Sequence, residues 1–184
     1  PPSSSPSAPG PASSRARSAG GAKARAAYIE IARKLSAARK TAAKKLEGTV
    51  TSELIPLKLA HAKFRVAFET LADDALSAHG LERIAFEVAT IESAPFGPLA
   101  KIASGGELAR FSLALKVALS EASPPAALVF DEVDRGVGGA VADAVGERLQ
   151  RLARTTQVLL VTHSPQVAAR AARHFRITRL GDKT

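Results

Sequence analysis

No cysteine, methionine or tryptophan occurs among the 184 residues, and aromatic residues make up only 4% of them. Without thiols the chain can build neither a disulfide framework nor a thiolate-held metal site, which fits a reducing compartment such as the cytoplasm. Without any methionine, residue 1 is not expected to be the product of a start codon, and the sequence reads as a piece of a longer or processed chain. Runs of 18 or more apolar residues are also missing, so no membrane-spanning helix is expected. The last absence is a motif. The pattern G-x-x-x-x-G-K-[ST], whose backbone amides and lysine cradle nucleotide phosphates, is found nowhere. Gly20-Gly21-Ala22-Lys23 has neither its spacing nor a preceding apolar strand.

What is present divides into three parts. Residues 1–14 consist only of Pro, Ser, Ala and Gly, a composition that cannot bury enough apolar surface to offset its ordering entropy. Residues 1–23 are therefore read as a disordered, low-complexity tail. Residues 24–56 read as a basic helix. Tyr28, Ile31, Leu35, Ala38, Ala42 and Leu46 recur at spacings of 3 and 4, a narrow seam of coiled-coil type with Lys and Arg between its members. Pro56 marks its kink or end. Residues 57–184 form the third part, a globular lobe supported by an overall hydrophobic content of 46%.

The net charge of +9 has a definite location. Between Arg15 and Lys45 there are ten basic residues against the single acid Glu30, and the rest of the chain is balanced. Such an arm either attracts nucleic-acid phosphates by counterion release or is simply a solvated helix face, and both readings stand.

Within the lobe, Phe64, Val66 and Phe68, and later Ile84, Phe86 and Val88, alternate with polar or small residues. These runs predict two half-buried strands, paired antiparallel across a turn near His79-Gly80. Beyond the Pro/Gly-rich loop at 93–98, helix and strand alternate. A helix is expected from about residue 105, a buried parallel strand over Ala127–Phe130, and a helix over 139–153. A second buried strand is expected over Val158–Val161, then a short helix opened by Ser164-Pro165, and a last strand over His174–Thr178. That order predicts an α/β layer with a mostly parallel sheet.

Four segments carry candidate chemistry. Ser104-Gly105-Gly106-Glu107 has the S-x-x-E spacing of a helix capping box. Its glycines would let an anion approach unsatisfied amides at the positive end of the helix dipole. Leu128–Glu132 is an apolar strand ending in two carboxylates, at the sheet edge where open α/β folds bind ligands. There Asp131 could hold Mg²⁺ through water, and Glu132 could orient or deprotonate an attacking water. Val133–Gly139 is a glycine-rich loop containing Asp134 and Gly136. Leu159–His163 is a second apolar strand, delivering His163 to that same edge as a donor to phosphate oxygen. Each segment alone has a plain structural explanation: a capped helix, a solvated acidic turn, a flexible connection, a solvated histidine. His61, His79 and His174 keep that plain explanation.

In combination and order, these segments resemble the downstream half of an ABC-type ATPase. Ser104, Gly105, Gly106 and Glu107 resemble the signature motif. Leu128–Glu132 resembles Walker B with its catalytic glutamate, Asp134 and Gly136 resemble the D-loop, and His163 resembles the switch histidine. Within that class, KIASGGELAR, LVFDEVDRGVGG and VTHSPQVAARA are most similar to the SMC-like RecN family of DNA repair ATPases, over roughly residues 28–180. The departures are Arg135 where a small residue is usual, Ser164 for a usual Leu, and Ala109 where Ser is common.

The resemblance implies an α/β fold: the C-terminal half of an ABC/SMC-type, P-loop NTPase-like head, preceded by the end of a coiled coil and a small antiparallel strand pair. It implies ATP and Mg²⁺ as ligands, with Glu132 and His163 catalytic, Asp131 at the metal, and Ser104–Glu107 serving a nucleotide held by a second head. It implies as partners an N-terminal half bearing Walker A, a second copy of the head, and DNA, with no membrane and a cytoplasmic, nucleoid-associated location. Hydrolysis is expected only when the chain joins the Walker A-bearing half. The rival reading is a non-catalytic DNA-binding or docking piece. An ABC transporter subunit is disfavoured by the coil-like arm.

Overall fold

A computed structural model describes residues 11–75, 77–99, 105–120, 123–131 and 133–177, with side chains from residue 20 onward except that of Asp74. The chain divides into two compact units, one comprising Pro1–Ala42 with Phe68–Ile84, the other Ala43–Ala67 with Ala85–Thr184.

The first element is a long helix, α1 (Pro11–Leu54). It begins inside the stretch expected to lack structure. From Arg15 onward that stretch is rich in Ala and Arg, strong helix formers, and extending an existing helix avoids the cost of nucleating one. The helix ends where sequence suggests: Pro56 sits in a 3₁₀ turn (Ile55–Leu57), and Lys58 adopts a left-handed φ of 55°. The Lys58 N–H donates to the Ile55 carbonyl and the Leu59 N–H to the Leu54 carbonyl, satisfying the helix end.

In the first unit α1 packs on the turn region between two strands, β1 (Lys63–Thr70) and β2 (Glu82–Ala89). The Tyr28 hydroxyl lies 3.0 Å from both the Ser77 and Gly80 carbonyls, and Arg39 Nη1 donates to the His79 carbonyl at 2.7 Å. Gly80 has φ +101°, and a Cβ there would press on Arg39 and Leu35. The helix face used for burial, Ala32, Ser36, Ala43, Val50 and Leu54, is not the predicted seam. Of the seam, Tyr28 and Leu46 are partly covered, while Ile31, Leu35, Ala38 and Ala42 remain exposed. Two faces of one helix thus carry apolar residues, and packing within the chain uses one of them.

Strands β1 and β2 are hydrogen-bonded neighbours. They run antiparallel: Arg65 pairs with Glu87, Glu69 with Arg83, and the Leu71 N–H with the Leu81 carbonyl, so one strand ascends as the other descends. A two-residue strand, β3 (Gly97–Pro98), adds to β2 antiparallel. Phe64 is buried, stacking in tilted contact with Phe86 and Phe111, whereas Ile84 and Phe86 are more exposed than alternation predicts.

The second unit holds the α/β layer: α2 (Gly105–Ser120), β4 (Ala127–Asp131), α3 (Gly139–Leu152), β5 (Gln157–Val161) and α4 (Pro165–Ala168). Phe111, Leu113, Ala114 and Val117 of α2 meet Ala142, Val145, Leu149 and Leu152 of α3, together with Leu57, Phe130 and Val167, in one buried cluster. Strands β4 and β5 pair in parallel, Ala127 opposite Gln157 through Asp131 opposite Val161. Ser164 caps α4, its side chain accepting from the Val167 N–H, with Pro165 in the first turn.

Two expectations are corrected. Both parallel strands were expected to be buried on both faces. Instead they alternate: Leu128, Phe130, Val158 and Leu160 face the core, while Val129, Leu159 and Val161 are 65%, 55% and 56% exposed. The uninterrupted apolar runs suit a sheet covered on two sides, and among the described residues one side has no covering layer. The last strand, expected over 174–178, does not form across 174–177, and Phe175 and Ile177 stand almost fully exposed. A strand needs a partner to hydrogen-bond, and among the described residues none lies beside it.

Candidate functional site

The parallel register determines what can meet. Asp131 is the last residue of β4 and pairs with Val161, so Thr162 and His163 follow at the same, carboxyl edge of the sheet. Asp131 and His163 are both solvent-exposed there. Glu132, the expected water-activating carboxylate, lies outside the described residues.

The chain then turns inward. Val133 is buried, and Asp134 is fully buried. The turn is closed by the Val137 N–H on the Asp134 carbonyl and released into α3 through Gly136 and Gly139, at φ +73° and +54°. Asp134 Oδ2 accepts a 2.5 Å hydrogen bond from the Thr162 hydroxyl, while Asp134 Oδ1 has no hydrogen-bond partner among the described residues. Thr162 Oγ1 in turn accepts from the Ser164 N–H at 3.0 Å. The exposed His163 is thus flanked by two residues tied into the interior, Thr162 through its hydroxyl and Ser164 by burial.

The amino end of α2 touches this same loop. A Cβ on Gly106 would come within 3.0 Å of the Arg135 carbonyl oxygen, a contact only glycine allows without a backbone shift. Around Gly105 nothing lies within 4 Å of a Cβ position, and the residue is exposed. Ser104 lies outside the described residues, so the capping box is represented by the start of the helix and by Glu107 in its first turn. Burial lowers the pKa of the Arg110 guanidinium one turn on, and the charge of Glu107 partly opposes that shift.

The loop at 133–139 therefore joins the glycine turn of α2, through Arg135, to the His163 segment, through Asp134. Of the residues singled out in the sequence, Asp131, Asp134 and His163 lie at the sheet edge, Gly136 lies in the loop that follows, and Gly105, Gly106 and Glu107 open the helix beside that loop. Thr162 was missed. Its signal was present as a hydroxyl residue between an apolar strand and a histidine, but which carboxylate it would meet depends on the parallel register.

The donor set suits a nucleotide with a hard cation. Asp131 could offer carboxylate oxygens to a divalent ion that draws most of its remaining ligands from phosphate and water. The start of the 16-residue helix α2, where Gly105 is exposed, could offer amide donors to an anion. Among the described residues there is no cluster of three or more acids or histidines that could hold a metal without such help, and no helix long and apolar enough to cross a membrane.

No family model matches the chain. Curated relatives do. The DNA repair protein RecN of Rickettsia felis is 45% identical over 150 residues, covering 82% of this chain and 27% of that protein. RecN of Xylella fastidiosa is 41% identical over 153 residues, covering 83% and 28%. Over this stretch the chain belongs to the RecN family. It spans just over a quarter of the length of these RecN proteins. Among solved structures, an Smc head domain with a coiled coil and joint from Pyrococcus yayanosii superposes with a TM-score of 0.58 at 20% identity, over 78% of this chain and 26% of that one. An Smc head domain with an extended coiled coil from Pyrococcus furiosus gives 0.52 at 20% identity, over 70% and 30%. These likenesses establish an SMC-head α/β fold for the RecN-like stretch.

Proposed function

We propose that this RecN-like chain is the downstream half of an ATPase head in DNA double-strand break repair and recombination, active when joined to a segment bearing Walker A. The observation that carries the reading is the convergence of Asp131, the Asp134 loop and His163 at one edge of a parallel sheet, with the glycine turn of α2 against the same loop. The sheet face left uncovered among the described residues supports the part of the proposal that calls for a second half. Covering the exposed half or more of Val129, Leu159 and Val161 would contribute about 1–2 kcal/mol each.

In this reading Asp131 holds Mg²⁺ through water, and the bound ion neutralises phosphate charge. Glu132 orients and deprotonates the attacking water. His163 donates to the γ-phosphate. Ser104, Gly105, Gly106 and Glu107 complete the site of a second head, and Asp134 and Gly136 shape the loop between the two sites. The partners are the Walker A-bearing half, a second copy and DNA, with the protein acting in the cytoplasm at the nucleoid. The cationic residues of α1 support DNA as a partner.

The test is Glu132→Gln in the assembled protein. Hydrolysis should slow by about 10²–10⁴-fold while ATP binding is retained. Unchanged turnover would refute the assignment.

A further inference from the structure

The buried carboxylate of Asp134 and the half-buried hydroxyl of Thr162 are hydrogen-bonded, a contact to which the reaction outlined above gives no role. Asp134 is fully buried, and among the described residues only one of its oxygens is satisfied, by Thr162. A carboxylate in that setting is costly to keep and is expected to hold its remaining donor tightly. Thr162 is bound from two directions, donating to Asp134 and accepting from the Ser164 N–H. Those two bonds bracket His163. Ser164 is itself buried and caps α4, so the backbone on the far side of His163 is anchored as well. The histidine is exposed, with no hydrogen bond of its own among those of the described residues. Its position is therefore set by its neighbours.

We infer that Thr162 is a positioning residue: its hydroxyl, latched to Asp134, holds the 162–164 segment so that His163 meets the phosphate in register. This rests on the ATPase reading above and adds to it a role for a residue to which that reading assigns none. The latch also explains why Asp134 points inward. Its side chain braces the strand edge, which leaves the backbone of the same loop, the Arg135 carbonyl included, to touch the α2 turn.

The experiment measures steady-state ATP hydrolysis by the assembly of this chain with its Walker A-bearing half, comparing wild type, Thr162→Val, Thr162→Ser and Glu132→Gln. Valine keeps the shape of threonine and removes the hydroxyl; serine keeps the hydroxyl. Misplacing a catalytic group by about 1 Å costs on the order of 10²-fold. Thr162→Val is accordingly expected to lower kcat by about 10–10²-fold with KM for ATP within about twofold of wild type, and Thr162→Ser to restore most of the loss. A merely structural threonine would not give rescue by serine together with an unchanged KM. Should Thr162→Val fail to fold, Thr162→Ala, which leaves room for a water beside Asp134, is read in its place with the same expectation. Wild-type kcat in the variant read, alongside collapse of turnover in Glu132→Gln, would overturn the latch while leaving the ATPase reading intact. Equal losses in the serine and valine variants would also overturn it. Absence of turnover in the wild-type assembly would overturn both.

Discussion

Glu53, near the end of α1, offers a stringent test of how that helix is joined to the α/β layer. Its carboxylate sits between two arginines of α3. Arg148 Nε lies 2.9 Å from Glu53 Oε2, with side-chain exposures of 10% and 9%, and Arg151 Nη2 donates to Glu53 Oε1. The Arg148 Nε contact is close without being aligned as a hydrogen bond, so it acts as an ion pair rather than a directed bond. Glu53→Ala removes the only buried anion facing Arg148 among the described residues. Left behind is a guanidinium with a 3.1 Å bond to the Ala144 carbonyl and a 3.5 Å contact to the largely exposed Glu147. Breaking a buried pair from one side costs about 3–5 kcal/mol. Arg151 is 45% exposed and can return to water, so the lower end, about 3 kcal/mol, applies. For a chain of this size that lowers the thermal midpoint by about 6–12 °C. The assay is thermal and urea unfolding followed by far-UV circular dichroism. Replacing both partners, Glu53→Leu with Arg148→Met, should recover to within about 1 kcal/mol of wild type, since an apolar pair carries no desolvation penalty. A loss below about 1 kcal/mol for Glu53→Ala would refute the reasoning and show the cluster to be as weak as a surface pair.

Other outcomes follow from particular contacts. Gly106→Ala places a Cβ 3.0 Å from the Arg135 carbonyl, which must give by a few tenths of an ångström; it should lower assembled ATP turnover by about two- to tenfold while changing the unfolding midpoint little, because the strain falls on a surface loop. Gly146 lies in α3 where a Cβ would meet Arg170 at 2.9 Å and the Val167 backbone at 3.3 Å, so Gly146→Val should destabilise by about 1–3 kcal/mol in urea unfolding. Leu159→Asp, on the bare sheet face, should leave the chain's own stability within about 0.5 kcal/mol but weaken co-purification with the Walker A-bearing half. If α1 grips DNA, affinity should fall steeply with salt, and replacing Arg33, Lys44 and Lys45 with Gln should reduce the log–log slope by about 3.

Much of the architecture was legible in the residues. Alternation at Phe64–Phe68 and Ile84–Val88 located β1 and β2, Ser164-Pro165 opened α4, and Pro56 closed α1, because each rests on a local rule of period or capping. What failed was non-local. The predicted seam through Ile31 and Leu35 follows a real apolar stripe, yet burial runs along Ala32, Ser36 and Ala43, the face met by the hairpin turn. Val129, Leu159 and Val161 read as buried because their runs are continuous, and only the count of layers in space leaves them bare. The same holds at the site. Asp131 and His163 could be assigned to strand ends from the runs that precede them. The inward turn of Asp134 onto Thr162 could not, since it depends on which residues the parallel register sets side by side.

The claim that this chain supplies half of an ATP site is tested most directly by mixing. ATP turnover is measured for the chain alone, for the Walker A-bearing segment alone, and for the two together. The account predicts no turnover from either alone and Mg²⁺-dependent hydrolysis from the mixture. Hydrolysis by the chain alone, or none from a mixture that demonstrably associates, would contradict it.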